Sequence, residues 1–154
     1  MESLDELMDV LAENAGIEGG FPPDEDGVVR VGYDDLQLSF MEIPEERTVV
    51  LWSPVGRLPE EGADAVKTGL LRANFMGRGV KGGVLSLSDD GGGVILHRML
   101  PLAPLDKTSF LETIEGFVAT LADWAKALAE YDPNEAASAK DELDDGDAFR
   151  FLRV

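Results

Sequence analysis

The sequence predicts an α+β fold, with helices packed on an antiparallel sheet in the order α-β-β-β-α-β-β-α. Three observations predict it. Apolar residues recur at helical spacing in three stretches. Period-two or β-branched runs lie between those stretches. Gly, Pro and Asp punctuate the joins. Strands that follow one another in runs, rather than alternating strictly with helices, favour an antiparallel sheet.

The first helix is expected over about Leu4–Ala15. Ser3-Leu4-Asp5-Glu6 reads as a capping box, with the acid three residues after the serine. Leu4, Leu7, Met8, Leu11 and Ala15 form one apolar face, and Gly16 supplies a stop. Residues 19–27, with Pro22 and Pro23 inside, form a loop. Val28–Val31 is a short strand. Leu36, Leu38 and Phe40 alternate with polar residues and share one face of a second strand. Glu45-Glu46 marks a turn before Thr48–Trp52, a β-branched and aromatic third strand.

Pro59 suits the first turn of a second helix, which continues through Ala63, Val66, Leu70, Ala73 and Phe75. Residues 77–83 end it as a flexible connector. Val84–Ser88 and Val94–Met99 are two further strands. Asp89-Asp90-Gly91-Gly92-Gly93 joins them as a hairpin loop, since Gly and Asp tolerate positive φ. Pro101 and Pro104 bracket a short extended connector. Asp106 then caps the longest helix, whose face carries Phe110, Ile114, Phe117, Val118, Leu121, Ala125 and Leu128, ending at Pro133. One domain over residues 1–133 and an acidic, mobile tail over 134–154 are expected.

Composition narrows the function. Thirty-one acidic residues against thirteen basic ones give a net charge of -18. Nucleic acid and anionic membranes both require a positive field, so neither is an expected partner. Cysteine is absent, which removes disulfide, thiolate and metal-thiolate chemistry and agrees with a cytoplasmic location. No secretory signal and no apolar run near 20 residues is visible.

Each candidate for chemistry fails on context. Gly77-Arg78-Gly79-Val80-Lys81-Gly82 spells G-x-G-x-x-G, but a dinucleotide site needs a strand before it and a helix after it, the reverse of the order here. His97 is the single histidine and has no Cys or second His to act with. The pairs Asp34-Asp35, Glu45-Glu46, Asp89-Asp90 and Asp144-Asp145 would suit acid-base chemistry or a hard cation. Acidic pairs are too common in this chain to be a signal, and a solvated surface explains them. Trp52 and Trp124 are expected to pack in the core, although Trp124 sits one step off the main stripe of its helix. The expectation is a protein without catalytic, cofactor-binding or metal residues.

The run Leu70-Leu71-Arg72-Ala73-Asn74-Phe75 is followed by the glycine-rich hairpin of Val84–Ser88 and Val94–Arg98. Leu100-Pro101-Leu102 and Leu105-Asp106 come next, and Phe110 through Trp124 close the pattern. It resembles the type III secretion chaperones of the Tir-chaperone (CesT-like) family, most clearly over residues 60–128. The resemblance implies a homodimer that uses no nucleotide or other cofactor. It also implies a partner, the N-terminal region of a secreted effector held extended. An extended segment adds to a sheet by backbone hydrogen bonds and places alternate side chains in apolar pockets. Candidate effector-facing residues are Leu7, Leu11, Leu38, Phe40, Val49 and Leu51. The resemblance puts the dimer contact on the second helix and the strand after it, at Leu70, Leu71, Phe75, Leu85 and Leu87. Monomer core is the competing reading for each of these. The rival functions are an acidic inhibitor that mimics nucleic acid and binds a basic protein, and a metal binder built on Asp34, Asp35 or the Asp89-Asp90 turn.

Overall fold

A computed structural model describes residues 1–135. The expected tail lies outside the described residues from position 136 on. The elements are α1 (Leu4–Ala15), β1 (Val29–Tyr33), β2 (Leu36–Ile43), β3 (Thr48–Arg57), α2 (Ala63–Ala73), β4 (Val84–Leu87), β5 (Gly93–Pro101) and α3 (Lys107–Ala129). They build a five-stranded antiparallel sheet of order β1-β2-β3-β5-β4. The predicted order and class of elements are those found.

The described residues divide into two compact units interleaved along the chain. One is Met1–Ser53 with His97–Val118; the other is Pro54–Leu96 with the chain from Ala119. The boundaries fall inside β3, β5 and α3.

In the first unit, α1 is capped as its sequence requires. The Ser3 hydroxyl accepts from the Glu6 N–H at 3.3 Å, and the Glu6 carboxylate reaches back to the Glu2 N–H at 2.7 Å. Gly16 adopts a left-handed conformation, φ 66°, and ends the helix. Leu4, Leu7, Met8, Leu11 and Ala12 are buried, and α1 packs on β2. The Leu4 N–H donates to a Glu42 carboxylate oxygen at 2.8 Å, fixing the helix start to that strand. β1 and β2 pair with Val29 opposite Phe40 and Val31 opposite Leu38. β2 and β3 pair with Phe40 opposite Leu51. Leu38, Phe40, Val49 and Leu51 therefore lie on one face of the sheet, and all are buried.

Asp34-Asp35 forms the two-residue β1–β2 hairpin loop, with Asp34 at φ 50°; short polar side chains tolerate that conformation. Asp106 caps α3: its carboxylate accepts from the Ser109 N–H, and its own N–H donates to the Ser109 hydroxyl.

In the second unit, β3 runs on to Arg57, and the Leu58 N–H still donates to the Gly92 carbonyl. The chain is thus tied to the hairpin through Leu58. This is why Pro59 does not start α2, as its sequence position suggests. The helix begins only at Ala63, after Gly62 at φ 78°. A side chain at Gly62 would collide with the Tyr131 ring. α2 also ends earlier than expected, at Ala73, and Phe75–Gly77 forms a separate short 3-10 turn.

Trp124, off the predicted stripe, is 1% exposed and among the largest buried side chains. Its indole N–H donates to the Gly79 carbonyl at 2.8 Å, which supplies the partner that a buried indole needs. Gly79 packs so close to Ala73 that a Cβ would lie about 3.0 Å from its backbone. The G-x-G-x-x-G run is accordingly a compact corner between α2 and β4, held by Trp124.

Candidate partner-binding surfaces

Two apolar surfaces remain open to solvent, one in each unit. In the second unit, Leu71 (72%), Phe75 (64%) and Met76 (77%) are the most exposed large apolar side chains among the described residues, and Val84 and Leu87 on β4 are exposed as well. A groove of about 330 Å³ is lined by Lys67, Leu70, Leu71, Leu85, Ser86 and Leu87. Leu70 and Leu85 are buried and form its base. Helix geometry explains the division: Leu70 and Leu71 are adjacent, so they point about 100° apart and cannot share one buried face. Of the five residues expected at a dimer contact, Leu70, Leu71, Leu85 and Leu87 line this groove, and Phe75 is exposed in the short turn that follows α2.

Asn74 organises this surface. Its side-chain amide donates to the Leu85 carbonyl, and its side-chain oxygen accepts from the Leu85 N–H, both at 2.8 Å. β4 is an edge strand, and an edge residue with unpaired N–H and C=O is a template for unwanted pairing. Asn74 occupies both groups of Leu85. The sequence shows Asn74 within Leu70–Phe75 but gives no sign of this role, because the partner lies eleven residues away.

In the first unit, the two faces of β2 and β3 differ. The six residues expected to meet an effector, Leu7, Leu11, Leu38, Phe40, Val49 and Leu51, all lie in the buried core of the chain. The opposite face carries Met41 directly across from Val50, and Ser39 across from Trp52. Met41 is exposed, and Ile43, Val50 and Trp52 are half-buried. Strand alternation places one set inward and the other outward, one residue apart.

The candidates for chemistry are occupied by structure. Asp90 accepts from the Ser88 hydroxyl and the Gly92 N–H, and pairs with Arg57. These bonds hold its carboxyl well below the usual carboxylate range, led by the Ser88 hydroxyl. Asp24 accepts from the Val28 N–H and pairs with Arg30, which lowers its pKa in the same way. Both arrangements lock loops. Among the described residues, no three His, Asp or Glu side chains gather as a metal site. No helix among them is long and apolar enough to cross a membrane.

Fold and surfaces together define a small α+β protein with exposed apolar patches on a strongly acidic chain. The sequence matches the Tir chaperone protein (CesT) family over residues 6–125, and the chain belongs to that family. Among solved structures, it is similar to a chain of the ExsC–ExsE complex, at 19% identity and TM-score 0.68, covering 81% of this chain and 92% of that one. It is also similar to the Yersinia pestis type III secretion chaperone SycH, in complex with a fragment of YscM2. That match has 21% identity and TM-score 0.63, covering 82% and 99%. YbjN from E. coli shares the fold as well, at 12% identity and TM-score 0.57, covering 90% and 93%. At such identities the structural likeness carries the fold alone. No curated protein matches in sequence.

Proposed function

We propose that this protein is a type III secretion chaperone of the cytoplasm. It binds the N-terminal region of a secreted effector, keeps it extended and competent for secretion, and works as a homodimer without catalysis. The observation that carries this reading is the family match across residues 6–125. The surfaces support it. A protein that holds an unfolded segment needs exposed apolar area, and a net charge of -18 limits its own aggregation by repulsion. Leu71, Phe75 and Leu87, supported by Leu70 and Leu85, form the proposed dimer contact.

The proposed effector surface is the outward face of β2 and β3, centred on Met41, Val50 and Trp52. Leu7, Leu11, Leu38, Phe40, Val49 and Leu51 support that face from the core side. β2 and β3 are interior strands, so an extended guest would bind this face through apolar side chains seated in its hollows rather than by backbone pairing.

The test is co-expression with secreted proteins encoded beside the gene, followed by purification and limited proteolysis. The expected result is a soluble complex in which the effector's N-terminal region is protected from protease while bound and is cleaved when the effector is alone. Met41→Glu with Val50→Glu should release it while the fold persists. Retention unaffected by these changes but abolished by high salt would favour the acidic inhibitor instead.

A further inference from the structure

Charge is divided unevenly along the chain. Residues 1–53 contain fourteen acidic side chains against two basic ones, whereas residues 54–96 contain five of each. Both basic residues of the first stretch are already ion-paired, Arg30 with Asp24 and Arg47 with Glu2. The proposed effector face of β2 and β3 lies in this first stretch, and the proposed dimer contact lies in the second. A surface of balanced charge tolerates a copy of itself, whereas a strongly acidic one repels its copy and attracts a cationic guest.

Acidic turns stand at both ends of the effector face. Asp34 and Asp35 form the turn before β2, and Glu45 and Glu46 lie in the turn after it. All four are exposed, and among the described residues none of them has an ion-pair partner. Between the two turns the outward side of the sheet offers Met41, Ile43, Val50 and Trp52. We propose that the segment taken by this face is cationic at both ends and apolar at its centre, an inference that rests on the effector reading and adds the chemistry of the guest.

Strand geometry sets the length of the guest. β2 has eight residues, and a strand rises about 3.3 Å per residue, so the two acidic turns stand roughly 25 Å apart. An extended segment covers that distance with about eight residues. Its alternate central side chains meet Met41, Val50 and Trp52, while lysine or arginine near each end meets one acidic turn. A guanidinium that comes over the Trp52 ring gains a cation–π contact. Exposed ion pairs are individually weak, so the apolar contacts supply most of the affinity and the charges select the guest.

The experiment uses the full chain and a set of fluorescent synthetic peptides of about eight residues, with Leu and Val at alternate central positions. Their end residues are all Arg, all Gln or all Glu. The Arg peptide should bind about tenfold more tightly than the Gln peptide, the combined effect of several weak exposed pairs. The Glu peptide should bind least, and raised salt should narrow the differences. The variant Asp34→Asn, Asp35→Asn, Glu45→Gln, Glu46→Gln should lose the Arg preference. Its sites are exposed, and asparagine tolerates the φ of 50° at Asp34,, so the fold persists, as circular dichroism would verify. Met41→Gln with Val50→Thr should weaken the Arg and Gln peptides alike. Equal binding of all the peptides, or binding of none, would overturn the proposal. So would an Arg preference that persists in the amide variant, or Arg-peptide binding that Met41→Gln with Val50→Thr leaves unchanged, because each places the cationic guest elsewhere. A secreted protein held by the native chain and released only by the Met41 and Val50 changes would reject the charge selection and leave the effector face standing. One released by neither set of changes would reject the face as well.

Discussion

The β2–β3 strands and the α2–β4 region carry apolar residues at similar density, yet they use them differently. In β2 and β3 the inward set, Leu38, Phe40, Val49 and Leu51, is fully consumed by the core. In α2 and β4, Leu70 and Leu85 are consumed while Leu71, Phe75 and Leu87 are left outside. The difference arises from geometry. A strand has two faces and can commit one entirely, whereas adjacent leucines on a helix diverge and one must look elsewhere. Apolar density alone therefore marks neither core nor contact surface. Periodicity decides the outcome on α2 but not on β4, where Leu85 and Leu87 share a face and only Leu85 is covered.

The largest effect expected from this contrast is in the strands. Phe40→Ala should cost about 4 kcal/mol in chemical denaturation, the usual cost of emptying a fully buried aromatic site. A loss under about 1 kcal/mol would mean that the inward face is not the packed core described here. Next comes Asn74→Ala, which leaves both backbone groups of Leu85 unpaired. About 2 kcal/mol is expected, together with increased hydrogen exchange at Leu85. Unchanged exchange there would show that Asn74 does not guard the edge.

A smaller effect concerns the cap of α3. The Ser109 N–H and hydroxyl hold the Asp106 carboxyl below its ordinary value of 3.8. A lowered pKa stabilises the fold above the unfolded value, and the contribution fades as pH falls through the folded one. The melting-temperature gap between native protein and Asp106→Ala should thus be steady near neutrality and close at strongly acidic pH. A gap that widens on acidification would contradict the capping role.

Much of the fold was legible in the sequence because the governing signals are local. Ser3 and Gly16 set the ends of α1, Asp106 starts α3, and Asp89–Gly93 turns the hairpin. The start of α2 was not legible, because Leu58 is held by Gly92 across the sheet and Gly62 is kept bare by Tyr131. Both partners are distant in sequence. Trp124 shows the same thing on a helix: the periodic stripe omits it, while Gly79 gives it a buried partner. For the candidate surfaces, only the family resemblance pointed to Leu71 and Phe75 beside Leu70. The inward and outward sets of β2 and β3 were not separable by function. Alternation shows that Leu38 and Phe40 share a face, but which face is covered depends on where α1 packs.

The exposed α2–β4 residues are the proposed contact surface between two copies. Sedimentation equilibrium at micromolar concentration tests it most directly, comparing the native chain with Leu71→Glu combined with Phe75→Ser. The native protein should sediment at twice the chain mass and the variant at the chain mass, with folding stability changed by less than about 0.5 kcal/mol, as for exposed sites. A native monomer, or a variant that stays dimeric, would contradict the account.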